Sequence, residues 1–158
     1  MLTTRKATLE DCPVIVPLWI ASMQYHEHFN PIFHTAPGYK DKVAAELTEL
    51  LEKPHVTFFL AQWNGVVIGF SMTTVNDRPV VFAQPKRGYI GFTFITDEHR
   101  AKGVGSEFVE SIIKWFKSQQ VDFIDLQVTV QNETGVKFWE KQGFKTVNYY
   151  MVRELDKE

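Results

Sequence analysis

The sequence predicts a mixed α/β fold: a mostly antiparallel central sheet with helices on both faces, in the order β-α-α-β-β-β-α-β-α-β. Three observations carry this reading. Residues 56–63 and 66–75 are strand-like runs joined by Asn64-Gly65. That dipeptide tolerates the positive φ angles of a type I′ turn, so the runs read as an antiparallel hairpin. Residues 89–96, another aromatic and β-branched run, lead through a glycine-containing turn to a helix and then to a strand at 123–130. Strands joined that way are parallel neighbours. The intervening helix carries Val104, Phe108, Ile112, Trp115 and Phe116 at helical spacing, a wide apolar face made to cover a sheet.

The other elements follow in chain order. Residues 2–7 read as a short first strand. Thr8-Leu9-Glu10-Asp11 offers cap chemistry, a hydroxyl to accept from an orphan amide and acids for a first helical turn. The next helix carries Val14, Leu18 and Met23; Pro13 suits its first turn, and Pro17 is expected to kink it. Residues 25–39 hold two prolines and three histidines and read as a loop. Val43, Leu47, Leu50 and Leu51 mark a helix over 40–51. A short helix over 133–141 is closed by Gly143, and 144–155 is expected to be the last strand. No repeat, low-complexity tract or linker interrupts the chain. Residues 1–158 are expected to form one domain, with 76–88 as a long strand connection.

Composition excludes several classes. With 158 residues, 44% hydrophobic and 14% aromatic, the chain can build a sizeable core. A net charge of -2 argues against a nucleic-acid-binding protein, which needs a strongly basic face. An anionic ligand would have to be met by a few placed groups. The single cysteine, Cys12, forbids an intramolecular disulfide and fits a reducing, cytoplasmic setting. No apolar run reaches the roughly 20 residues a membrane helix needs. The opening residues lead into no apolar stretch, so no signal peptide is expected.

The clearest chemistry lies in Arg100-Ala101-Lys102-Gly103-Val104-Gly105, between a strand and a helix. Such a turn aims backbone amides at one spot, and the helix dipole adds partial positive charge there. Gly103 and Gly105 let a phosphate approach the main chain, and Arg100 and Lys102 add mobile charge at the rim. The alternative is a plain connecting turn with a solvated basic pair. Two other nucleotide loops do not fit: the Gly-Lys-Ser/Thr ending of a P-loop is absent, and Phe108 stands where a Rossmann turn has its third glycine.

The turn resembles the Arg/Gln-x-x-Gly-x-Gly/Ala motif of the GNAT superfamily of N-acetyltransferases. A second match follows: Leu126-Gln127-Val128, then Asn132, then Phe138-Trp139-Glu140-Lys141-Gln142-Gly143-Phe144, similar to the family's strand, Asn, helix and "Phe-Tyr-Glu-Lys-x-Gly-Phe" pattern. The two occur in the right order, and the element order covers the whole chain. The resemblance implies an enzyme that uses acetyl-CoA. Amides from Lys102 to Ser106, with Gly103, Val104 and Gly105 among them, would hold the pyrophosphate, and Arg100 and Ala101 would complete the cofactor-binding loop. Phe94 and Ile95 would offer main-chain groups to the pantetheine arm in a gap between splayed strands. Asn132 would hold the arm or the splayed strand, and Phe138 and Lys141 would lie near the arm and the adenosine end.

The match departs from the family in two places. Trp139 stands where a Tyr is proposed to protonate the departing thiolate, and an indole N–H is not a useful acid. A thiol pKa near about 8.5 makes thiolate a tolerable leaving group without one. Tyr149 and Tyr150 are candidate replacements. The usual strand Glu is missing, since 89–96 holds no carboxylate and Thr93 is its one polar inward candidate. In the family, the region matching 25–39 lines the acceptor pocket, so Glu27 and His28 become the candidate bases. Scattered loop histidines are the competing reading. His26 and His28, two apart, do not share a helix face, so no metal site is expected. The implied reaction is direct acetyl transfer to a primary amine, on a small molecule or a protein. Cys12 lies far in sequence from the cofactor elements, which disfavours a covalent intermediate. The alternative is an acyl-CoA-binding or regulatory module without efficient catalysis. A homodimer through the last strand stays open.

Overall fold

The computed structural model describes residues 1–157. The chain runs β1 (Leu2–Lys6), α1 (Cys12–Glu27), α2 (Lys40–Glu52), β2 (Val56–Trp63), β3 (Val66–Asp77), β4 (Lys86–Ile95), α3 (Val104–Ser118), β5 (Phe123–Leu126) and α4 (Glu133–Lys141). The strands form one sheet in the order β1-β2-β3-β4-β5. The first three pairings are antiparallel and the β4–β5 pairing is parallel. The mixed, mostly antiparallel sheet read from the sequence is therefore present. Among the described residues no helix is long and apolar enough to cross a membrane.

Local chemistry explains the elements. Asn64 and Gly65 take φ of 50° and 85°, which suits the tight turn between β2 and β3. At the other end, Asp11 accepts from the Thr8 amide at 2.8 Å and is gripped by the Arg5 guanidinium at 2.7 and 2.9 Å. A single 3₁₀ turn, Leu9–Asp11, starts the helical stretch before α1. The helix continues through Pro17, losing only the bond that a residue 17 N–H would give to Pro13.

Period-2 alternation splits the core between the two sheet faces. Phe58, Leu60 and Phe70 join Ile15, Trp19, Val43 and Leu47 under α1 and α2. Phe59, Ala61 and Ile68 join Phe108, Ile112 and Phe116 of α3 on the other side. Helices thus cover both faces. On β4 the parity switches: Ile90 and Ile95 face α3, whereas Phe92 and Phe94 pack on the α1 side. The switch is a bulge, because Met72 pairs with Phe92 and its neighbour Thr73 pairs with Ile90, leaving Gly91 extra. A Cβ on Gly91 would come within 2.5 Å of the Met72 methyl carbon.

Three expectations are corrected. Residues 144–155 form no strand; 145–157 are exposed and irregular. Residues 25–27 are not loop but the last turn of α1. Strand 123–130 is also shorter than expected, ending at Leu126.

Candidate active site

The β4–β5 ladder is short. It joins Arg87 to Phe123 and ends at Ile90 with Leu126, while β4 runs on to Ile95. The closed end is tied by Arg87, which donates to Asp125 at 2.6 and 2.7 Å. Beyond the bulge at Gly91, the β5 side of β4 has no strand partner among the described residues. The Thr96 amide donates back to Ile68 on β3, at 2.9 Å. Alternation along an antiparallel ladder then turns the main-chain groups of Thr93 and Ile95 away from β3, into the gap. Phe94 departs from its expected role. Its main chain faces β3, and its ring is buried on the α1 side.

The turn after β4 delivers a helix start to the open end of this gap. Gly103 sits at φ 80°, the left-handed region, just before α3, and no side chain caps the helix. The amides of Val104, Gly105 and Ser106 are the first-turn donors that an α-helix leaves without internal partners, and Glu107 makes the first helical bond, to Gly103. The Gly103 hydrogens face open space, whereas a Cβ on Gly105 would press on the Phe138 ring at 3.3 Å. Phe138 therefore belongs to the wall of the turn. Ser106 accepts a hydrogen bond from Gln142 at 2.8 Å, tying α3 to α4; nothing in the sequence marked Gln142 for this. Lys141 is exposed at the end of α4.

The two basic residues, read from the sequence as mobile charge at the rim, make contacts within the turn. Arg100 donates to the Ile95 carbonyl at 2.8 Å, pairs with Asp97 at 2.6 Å and lies 4.8 Å from the Tyr25 ring and 5.0 Å from Phe94. Lys102 donates to the Glu98 carbonyl at 2.8 Å. With Ala101 at φ 59°, these contacts shape the turn. An anion at the gap would be met by the amides of the helix start and its dipole.

Asn132 is buried at the start of α4. Its carboxamide oxygen accepts from the Gly135 amide at 3.0 Å and from the Tyr25 hydroxyl at 3.3 Å. Tyr25, given no individual role by the sequence, thereby links α1 to α4 and carries Arg100 on its ring. A groove of about 470 Å3 opens beside it, walled by Leu18, Ala21, Tyr25, Ile68, Phe94 and Arg100. Trp139 packs edge-on against Phe138 and Phe144 at 5.0 and 5.4 Å, a packing role.

Glu27 and His28 close α1. The Glu27 carboxylate accepts from the Thr35 hydroxyl and from its amide at 3.0 Å. These bonds hold its pKa below the ordinary carboxylate value. The His28 ring is exposed and lies 4.1 Å from Phe29. His26 bonds the Ser22 carbonyl at 2.7 Å. The structure therefore places Ile95, the turn from Arg100 to Ser106 and Phe138 at the end of β4 and the start of α3, with Asn132 on α4 joined to them through Tyr25 and Arg100, while Phe94 points to the α1 side and Glu27 and His28 close α1. Among the described residues no group of three or more His, Cys, Asp or Glu could hold a metal ion.

The model of the acetyltransferase (GNAT) family matches residues 22–144, most of the chain. The chain belongs to that family. N-alpha-acetyltransferase 30 of Schizosaccharomyces pombe is 27% identical over 123 residues, covering 69% of this chain and 79% of that protein. The BH1408 protein of Bacillus halodurans, solved as a tetramutant, superposes with a TM-score of 0.85 at 21% identity, over 97% of this GNAT chain and 99% of its own. The aminoglycoside N-acetyltransferase AAC(6')-Iy, solved with CoA, superposes at 0.75 with 16% identity, over 98% and 95% of the two chains. At those identities the two structures show that the fold is shared.

Proposed function

We propose that this GNAT chain moves an acetyl group from acetyl-CoA to a primary amine by direct attack. The observation that carries the reading is the uncapped start of α3 placed at the open end of the β4–β5 gap. Its amides suit a diphosphate, and the main-chain groups of Thr93 and Ile95 suit an extended amide-containing arm. When bound, acetyl-CoA supplies an activated thioester. The new bond joins the amine nitrogen to the acetyl carbon, the carbon–sulfur bond breaks, and sulfur leaves with the electron pair. The ammonium proton, held near a pKa of about 10, must be removed first. His28 is the better of the two base candidates, because Glu27 is engaged by Thr35. Tyr25, whose hydroxyl donates to Asn132, would be the candidate to protonate the departing sulfur, a role that the indole of Trp139 does not suit.

An amine-panel assay tests the proposal. Peptide N-termini head the panel because an N-alpha-acetyltransferase is among the relatives, and aminoglycosides follow because that class shares the fold. Release of free CoA thiol dependent on one amine class is expected. A second reading rests on Trp139 being packed and β4 lacking a carboxylate: a module that binds acyl-CoA without turnover. Tight acetyl-CoA binding with no thiol release across the panel would favour it over the enzyme.

A further inference from the structure

The end of α1 carries rings that neither half of the core uses. Tyr25, His28 and Phe29 pack on one another instead. Their ring centroids lie 6.0 Å apart for Tyr25 and His28, 5.4 Å for Tyr25 and Phe29, and 4.1 Å for His28 and Phe29. None of the three is buried. Tyr25 joins this cluster to the turn before α3 and to α4, because its ring lies 4.8 Å from the Arg100 guanidinium and its hydroxyl donates to Asn132 at 3.3 Å. Phe29 therefore stands one ring away from Arg100 and Asn132.

The apolar surface continues along the chain. Ile32 and Phe33, 38% and 37% exposed, sit in a 3₁₀ turn started by Asn30, whose side chain accepts from the Ile32 amide at 3.1 Å. Glu27 accepts from the amide and hydroxyl of Thr35, so the stretch between them is a closed ring on the helix end rather than a free tether. Exposed aromatic and apolar groups held in place this way suit a ligand's contact surface. The charges narrow the choice of ligand. Residues 25–39 contain one carboxylate, Glu27, and no Lys or Arg. Thr35 occupies Glu27, Arg100 pairs with Asp97 at 2.6 Å, and the Tyr25 ring already carries Arg100. A second ammonium on an acceptor would lose water there and gain no counter-charge. A hydrocarbon or aromatic body would gain by the same burial.

We propose that the acceptor is a primary amine carrying a single charge on an aromatic or large apolar group, and that this group lies against Tyr25, Phe29 and the turn at Ile32 and Phe33. The inference rests on the acetyl transfer proposed above and names its substrate class. The same chemistry is offered by a free arylalkylamine or alkylamine and by a peptide whose first residue is large and apolar.

The test compares matched acceptors by release of free CoA thiol. Hexylamine is set against hexamethylenediamine, which replaces its methyl end with an ammonium, and a Phe-first tetrapeptide is set against its Lys-first counterpart. In at least one pair the apolar member should have a kcat/KM at least about tenfold higher. Which pair turns over faster separates a free amine from a chain end. Equal or reversed ratios in both pairs overturn the inference and leave acetyl transfer standing. Thiol release with no amine would fail acetyl transfer itself, and this inference with it. Phe29→Asp and Ile32→Asp each supply the missing counter-charge, so each should shrink the ratio by several-fold, whereas Phe29→Leu should keep it. A ratio unchanged in both Asp variants would overturn the assignment to this surface. Should either variant unfold, the ratios of the unmodified chain still decide.

Discussion

The two sides of the β4–β5 gap are built from different materials. On the side proposed for the cofactor, recognition would rest on main chain: three amides at the start of α3, two left-handed residues in the turn and the gap-facing groups of Thr93 and Ile95. On the side proposed for the acceptor, residues 25–39 offer side chains, Tyr25, Glu27 and His28, on a helix end and a connection held by Thr35. Backbone recognition depends on a few conformations that cannot be exchanged. Side-chain recognition depends on identities that can. We therefore expect substitutions to be most damaging where they change backbone shape and milder across the gap.

The largest effect should come from Gly103. At φ 80° a residue with a Cβ is strained, and a β-branched one most of all. Gly103→Val should weaken acetyl-CoA binding by about 100-fold or more, read by calorimetry, about 2.7 kcal/mol. Gly103→Asn, which tolerates the left-handed region, should stay within about tenfold. Equal affinity of both variants with the unmodified chain would show that the turn does not carry recognition.

Next comes Asn132, where the two sides meet. Asn132→Ala removes the bond to the Gly135 amide and the partner of the Tyr25 hydroxyl, so a loss of about 1 kcal/mol of stability is expected, with a higher KM for acetyl-CoA. Tyr25→Phe should spare most of the stability but lower the rate at saturating acetyl-CoA. A Tyr25→Phe enzyme of full rate would remove Tyr25 from the proton path.

Smaller effects are expected at the rim. His28→Ala should lower the rate without changing acetyl-CoA affinity. Glu27→Ala should raise the acceptor KM by releasing Thr35. Full activity in both would mean that the base lies elsewhere.

The contrast also explains what the sequence made legible. A left-handed turn leaves glycines in the text, so Gly103 and the uncapped helix were readable, and Asn64-Gly65 announced its hairpin for the same reason. Gly91 was a missed signal: an isolated glycine in an aromatic strand often marks a bulge, and this one reverses which residues face α3. Phe94 and Ile95 were both expected to offer main-chain groups to the gap, but neighbours on a strand turn those groups to opposite sides. Arg100 was read as free charge because its partners, the Ile95 carbonyl and the Tyr25 ring, are supplied by folding rather than by the motif. Residues 144–155 carry a strand's pattern, but a strand needs an edge to pair with, and pattern alone does not say whose.

The smallest expected effect tests how firmly the acceptor side is anchored at its far end. Asp11 joins β1 to the start of α1, the helix that carries Tyr25, Glu27 and His28. Its hydrogen bonds from Arg5, helped by the Thr8 amide and opposed by burial, hold its pKa down to about 2, against about 3.9 when unfolded. A depressed carboxyl contributes stability above its unfolded pKa and loses it as pH falls through its folded one. That contribution should therefore be complete above about pH 5 and fade between about pH 4 and pH 2. Arg5 is 42% exposed, which limits the pair to under about 1 kcal/mol. Asp11→Asn should lower Tm slightly at neutral pH, and its difference from the unmodified chain should shrink as pH falls toward 2. A Tm difference that stays constant across that range would mean that Asp11 acts through shape rather than charge, and that the acceptor helix has no ionic anchor there.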